Sequence, residues 1–381
     1  GDSGTSRGGG PAGESYRQQR GSSQSYRGHS GGSRVDSDGR DAQGLSSYRF
    51  SAPPGRANHM SGGYGDWREM LEGERNRSDR LDLVTVATPN ATHFEITKSF
   101  LEAGFNVLCE KPMTMTVEEG EEIVKVVEKT GKICAVNYCY SAYPMVRQAR
   151  AMVRAGEIGK PRLVVTNFSH GHHGDVTDAE NPRVRWRYDP AMAGVSGQFA
   201  DCGIHAMHMA SFICDDQVET LSADFASTIP SRVLEDDAMV NFRMTGGTVG
   251  RLWTSSVAIG RQHGFDIQVF GETGGFRWAS EQPNQLIYTP VGGRTQIIEK
   301  GEGGLHEDAQ RLSRVSIAHP EGFPLAVANI YCDLADALAG EVRDGLPTAS
   351  DGVRSMAAVH TAVASAKAQG AWMDARPSIF K

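Results

Sequence analysis

Three apolar runs of strand length constrain this chain most: LDLVTVAT (81–88), FNVLCE (105–110) and KICAVNY (132–138). Each is continuous rather than alternating, as expected of strands buried on both faces. Helical patterns at 91–104 and 116–131 separate them. The first closes on Gly104, and the second carries acid at its start and Lys129 near its end, matching the helix dipole. Strand, helix, strand, helix, strand at this spacing implies a parallel sheet with right-handed crossovers. Ligands of such sheets bind beyond the carboxyl ends of the strands. Two turns lie there, ATPNATH (87–93) and CEKP (109–112), and Pro89 and Pro112 stop their strands. Lys111 is thereby aimed into the crevice, although a lysine at a strand end is more often simply solvated.

A short amphipathic helix is expected at 64–74 with Asp66 as its N-cap, and another helix at 142–159. After it the pattern changes. Runs at 161–170, 219–228, 237–244, 248–258, 265–272, 275–280, 285–290 and 295–299 read as strands, several joined by glycine turns. Strands in succession imply a large, mostly antiparallel sheet. Two late helices follow near 325–338 and 353–368. One sheet face is expected to carry Trp253, Val257 and Phe270 in the open and to pair with a copy of itself, giving a homodimer or homotetramer.

Residues 1–62 differ from the rest. Gly and Ser make up nearly half of them, and Val35, Leu45 and Met60 are almost the only aliphatic residues beyond alanine. Such a segment buries too little apolar surface to offset its ordering entropy. The expectation is a disordered or misassigned stretch. Its scattered arginines admit an RNA-associated reading, against the blander one of a solvated tail. The net charge of −7 argues against nucleic acid as the partner of the whole chain. No apolar run reaches the roughly 18 residues of a membrane span. Six cysteines without a C-x-x-C pair read as reduced thiols, so a cytoplasmic location is expected.

Later, GQFADCGIHAMHMASF places Asp201 and His205 four apart, on one face if residues 200–212 are helical. An acid that fixes an imidazole makes a general base. A capping Asp beside a structural His is the plainer reading of the pair taken alone.

EKPMTMTVEEGEEIV, followed about 90 residues later by DCGIH, resembles the Gfo/Idh/MocA family of NAD(P)-dependent sugar and polyol oxidoreductases. The likeness runs from about residue 64 to the end and includes the Thr-Pro-Asn turn and WRYDP (186–190). It implies a Rossmann-like parallel-sheet domain (63–145) and an α+β substrate-binding and oligomerisation domain (146–381). It implies NAD or NADP as cofactor and a sugar, sugar derivative or cyclitol as substrate. Carried over by position, Lys111, Asp201 and His205 are the catalytic residues. Thr88, Pro89, Asn90, His93, Glu110, Lys111, Trp186 and Arg187 line the cofactor, and the bond from Lys111 to Pro112 is expected to be cis. Tyr138, His170, His172 and His319 are candidate substrate contacts. In the implied reaction His205 removes the hydroxyl proton while Lys111 stabilises the alkoxide.

The departure lies at the start. The family opens with a strand, a glycine turn and a helix; here GGGPAG (8–13) and GSSQSYRG (21–28) have glycines but no apolar strand before them. The first strands are therefore degenerate or missing as written, with weak dinucleotide affinity expected, and a catalytically silent binding or scaffold protein remains a rival. The histidines of SHGHHGD (169–175) suit solvent or sugar better than metal, and none is implied. AHPEG (318–322) puts His319 ahead of a helix and Glu321 near its start, which reads either as an N-terminal cap or as a substrate contact.

Overall fold

The computed structural model of the chain describes residues 63–341 and 343–381. The readings made for residues 1–62, including both glycine stretches and the RNA contact, lie outside the described residues.

Helix α1 (Trp67–Arg75) begins where the Asp66 carboxylate accepts from the Arg68 amide. Strand β1 (Leu83–Val86), helix α2 (His93–Glu102), strand β2 (Asn106–Cys109), helix α3 (Val117–Thr130) and strand β3 (Cys134–Val136) follow. The strands form a parallel sheet in the order β1-β2-β3. Thr116 and Glu119 close a reciprocal capping box on α3, and Gly131 ends it at φ 63°. Neighbouring Val107 and Leu108 point to opposite faces, yet both are buried, which accounts for the unbroken apolar run. Each such side chain contributes roughly 1.5–3 kcal/mol through burial.

Helix α4 (Pro144–Arg154) leads into β4 (Leu163–Ser169), the short α5 (Pro190–Ala193) and α6 (Ile204–Cys214). Then come β5 (Val218–Ala226), β6 (Asp237–Met244), β7 (Val249–Ser255), β8 (Phe265–Phe270), β9 (Gly274–Ala279), β10 (Gln285–Pro290) and β11 (Gln296–Glu299). Helices α7 (Glu307–Leu312), α8 (Phe323–Leu338) and α9 (Ala349–Lys367) precede β12 (Met373–Asp374). The second sheet has nine strands in the order β11-β10-β9-β8-β4-β7-β6-β5-β12. Only the β4–β7 pairing is parallel, because β4 enters between two strands that arrive much later. Helix α9 packs on both sheets, against α3 and β3 on one side and β5 on the other. The Val136 amide donates to Pro347 O just before α9, tying the first sheet to the end of the chain.

The outer sheet face differs from the apolar one expected. Met239, Trp253, Asn167 and Asp266 form one row across β6, β7, β4 and β8. Arg251 and Gln268 alternate onto the same side, so the face mixes charge with apolar surface. Val257 lies beyond the end of β7 and is not part of it. Glu321 is no cap either. Gly322 stands at that position of α8, while the Glu321 carboxylate is buried against Lys300 Nζ at 3.1 Å and accepts from the Arg314 and Val315 amides.

The expected regular helix across 200–212 is also corrected. Phe199–Gly203 forms a π-turn that runs on into α6. Gly203 permits it: a Cβ there would sit 2.3 Å from the Phe199 ring.

Candidate active site

Lys111 leaves the carboxyl end of β2, and its peptide bond to Pro112 is cis. Its side chain crosses to the π-turn, where Nζ donates to Asp201 Oδ1 at 2.6 Å and to Asp201 O at 2.6 Å. The other carboxylate oxygen, Oδ2, accepts from Arg187 Nη1 at 2.8 Å. Arg187 in turn lies 4.6 Å over the Trp186 ring. Burial alone would raise the Asp201 carboxyl. Lys111 and Arg187 outweigh it and hold the group well below the usual carboxylate range.

His205 sits in the first turn of α6, buried, and Nδ1 has no hydrogen-bond partner among the described residues. Asp201 therefore does not fix the His205 ring as the four-residue spacing suggested. The π-turn alters the helical phase, and two cations already occupy the carboxylate. Burial, with Lys111 second, pushes the His205 imidazole well below its ordinary value, so the ring is neutral at pH 7.

Aromatic walls surround the ring. Tyr140 meets it edge-on at 4.9 Å and Tyr138 at 5.8 Å. The Tyr140 hydroxyl lies 2.8 Å from His263 Nε2. His170 stacks on His172 at 4.8 Å and places Nε2 3.5 Å from Cys202 Sγ. Burial and the neighbouring His172 and His173 push His170 down to about 4. His263 escaped notice in the sequence. It lies in the Gly-bounded loop after β7, a strand parallel to and paired with β4, which carries His170 beyond its own end. His319 is exposed and bonds Ser316 and Ile317 within its own loop.

The cofactor candidates divide. Thr88 Oγ1 and Thr92 Oγ1 are 2.6 Å apart in the turn around Pro89, and Asn90 Nδ2 donates to Ala193 O. A small cavity is bounded by Asn90, Trp186, Arg187, Ser196, Gly197 and Asp201. Glu110 Oε1 accepts from Asn137 Nδ2 at 2.6 Å, and the buried Asn137 Oδ1, at the end of β3, has no partner among the described residues. That open acceptor and the neighbouring Lys111 suit the amide-bearing ring of a nicotinamide nucleotide. His93 is different. It is buried, with Nδ1 2.7 Å from Pro112 O and Nε2 2.7 Å from Thr88 O. It bridges the two turns rather than facing a ligand.

Comparison with known proteins agrees with this geometry. Residues 51–138 match the oxidoreductase-family NAD-binding Rossmann fold, and residues 146–277 match the GFO/IDH/MocA C-terminal domain. The uncharacterized oxidoreductase YfiI of Bacillus subtilis is 34% identical over 322 residues, 82% of each chain. Levoglucosan dehydrogenase of Pseudarthrobacter phenanthrenivorans is 25% identical over 58% of this chain and 60% of its own. The crystal structure of an inositol dehydrogenase homolog from Azotobacter vinelandii complexed with NAD+ superposes with a TM-score of 0.77 at 35% identity, covering 82% of both chains. Its complex with NADH and myo-inositol gives 0.74 at 34% identity, again over 82% of both. A parallel sheet ending in the Glu110-Lys111-Pro112 turn, a mixed sheet behind it and these matches lead to one conclusion: the chain belongs to the Gfo/Idh/MocA family of oxidoreductases, with an NAD-binding Rossmann fold.

Proposed function

We propose that this oxidoreductase oxidises a ring hydroxyl of a cyclitol or sugar, with Lys111, Asp201 and His205 as its catalytic residues. The observation that carries the reading is the Lys111 ammonium held against Asp201 beside a buried, neutral His205. A bound nicotinamide supplies the hydride acceptor, and the protein supplies orientation and proton handling. Thr88, Pro89, Asn90, Glu110 and Trp186 are the residues assigned to hold the nicotinamide; Asn90 and Trp186 line one small cavity with Arg187 and Asp201. His205 has Nδ1 enclosed, so Nε2 is the nitrogen left to take the hydroxyl proton. Lys111 Nζ, with hydrogen-bonding capacity beyond Asp201, stabilises negative charge on the substrate oxygen. Asp201 holds the Lys111 side chain in place through its carboxylate and its main-chain oxygen. Tyr140, His170, His172 and His263 form the wall against which a polyhydroxylated ring would rest, a surface of stacking faces and hydrogen-bonding edges. The relative solved with myo-inositol supports a cyclitol as the first substrate to try.

The same reading includes a domain boundary near residue 145, a cytoplasmic location and self-association through the outer sheet face. All six cysteines are unpaired thiols, which fits a reducing compartment. Among the described residues no helix is long and apolar enough to cross a membrane. Titrating the full chain with NADH and NADPH by nicotinamide fluorescence, then assaying cyclitols and sugars for NAD(P)H formation, tests the proposal. Absence of both binding and turnover would favour a silent relative.

A further inference from the structure

The π-turn that carries Asp201 is itself anchored by a side chain with no place in the chemistry above. Glu235, just before β6, is 8% exposed. Its Oε1 accepts from Ser196 Oγ at 2.6 Å and from the Phe199 amide at 3.0 Å, and its Oε2 accepts from the Gly197 amide at 3.0 Å. Its main-chain oxygen accepts from the Gln198 amide. Ser196 Oγ also accepts from the Ala200 amide, so the contact runs directly into the turn. All of these groups donate toward Glu235 or Ser196, as the open amides at the start of a helix do, and no cation is among the Glu235 partners in the described residues. A buried carboxylate there is held by the hydrogen bonds and by the positive end of the helix dipole. The fit is close: a Cβ on Gly197 would lie 2.6 Å from Glu235 O.

We propose that Glu235 is a positioning residue for the active site: by clasping residues 196–199 it sets the π-turn so that the Asp201 carboxylate spans Lys111 and Arg187. Resting on the oxidoreductase reading above, this adds a fourth acidic or basic group to its machinery, one that never touches substrate. Glu235→Gln is the discriminating change. The amide can keep an acceptor toward Ser196 and Phe199 only by turning its NH2 toward the Gly197 N–H, donor against donor. The turn should then shift by a fraction of an ångström, enough to weaken reactive geometry.

The test compares the full chain with its Glu235→Gln, Glu235→Asp and Ser196→Ala variants. One readout is the rate of amine acetylation at each lysine, followed by mass spectrometry, with the other lysines as internal standards. Lys111 in Glu235→Gln should label about 5-fold faster relative to the others. The second readout is kcat, expected to fall about 10- to 100-fold with little change in NADH affinity. Ser196→Ala removes one donor and should show a smaller effect of the same kind, which keeps the test alive if Glu235→Gln does not fold. Labelling that rises equally at all lysines, or Lys111 labelling unchanged in every variant, overturns the proposal. A parent protein without turnover sinks the catalytic reading instead, while the labelling still reports on Glu235.

Discussion

Lys111 Nζ binds Asp201 twice, through its carboxylate and through its main-chain oxygen, each at 2.6 Å. The lysine comes from the end of one sheet and the aspartate from a turn beneath the other, so one side chain joins the nucleotide-binding fold to the turn that leads into α6. Lys111→Ala should lower kcat by about 10²-fold or more while the protein stays folded, because Arg187 still pairs with Asp201. Lys111→Arg should recover little, since a planar guanidinium cannot place one donor between those two oxygens. Steady-state kinetics beside a circular dichroism spectrum decide it; near-normal turnover in Lys111→Ala would return the lysine to a structural role.

His205 sets the pH response. A general base works only when unprotonated, and burial together with Lys111 holds this imidazole well below 6.5. The kcat/KM for hydroxyl oxidation should therefore carry no His205 limb at pH 6.5 and above, and lose activity only well below it. Lys111→Met removes the second cause, so the residual activity should show that limb moved upward. A limb at or above pH 6.5 in the unmodified enzyme would count against His205 as the base.

Stability has its own pH dependence. His208 is buried, stacked on Tyr138 at 4.1 Å, and lowered to about 4 mainly by burial, with Arg150 and Arg147 adding to the shift and Asp351 opposing it. A depressed folded-state value means that the unfolded chain binds the proton more readily. The contribution is then complete above about 6.5 and is lost as pH falls toward 4. Thermal unfolding should show Tm dropping across that window, with His170 acting in the same direction. His208→Phe should flatten part of the slope, and an unchanged slope would exclude His208 as its source.

The outer sheet face offers a test of association. Met239 and Phe270 are exposed on it, and Trp253 lies between them with its indole nitrogen donating to Asp237. Introducing charge with Met239→Glu and Phe270→Glu together should convert a dimer or tetramer to monomer in light scattering. A parent chain that is already monomeric at micromolar concentration would dismiss the interface.

The continuous apolar runs made β1, β2 and β3 legible, and alternation within β6 and β8 did the same for the second sheet. What escaped was too short or too distant to leave a period. Four residues of α5 and two of β12 hold no repeat. The π-turn has no residue signature, so a spacing of four between Asp201 and His205 suggested a pairing that the altered phase does not produce. Arg187 carried a cofactor expectation by position, but its ion pair with Asp201 depends on a loop geometry that spacing does not encode. His93 misled in the opposite way: a polar residue opening a helix at the crevice proves to be buried, with its ring held between Thr88 O of its own turn and Pro112 O of the next, a pairing that spacing does not encode.

Arg147 is the strongest test of how the second half of the chain is held to the first. It lies on α4 and is 1% exposed, beneath the turn that presents Tyr140. Its Nε donates to Ser141 O at 2.6 Å, Nη1 to Asp308 at 2.8 Å, and Nη2 to Asp333 at 2.7 Å and Gly345 O at 2.9 Å. Asp333, on α8, is fully buried and has Arg311 as its other cation. One guanidinium therefore joins α4, α7, α8 and the loop before α9. Arg147→Met keeps most of the apolar stem but leaves Asp333 with a single, partly exposed partner and Ser141 and Gly345 with unpaired oxygens. Removing one member of a buried ion pair typically costs about 3–5 kcal/mol. The variant should unfold at lower denaturant concentration by that amount with an unchanged slope. Because the Tyr140 turn loses its support at Ser141, KM for substrate should rise more than kcat falls in the fraction that remains folded. Loss of less than about 1 kcal/mol would mean that the network is solvated and contributes little, like an ordinary surface pair.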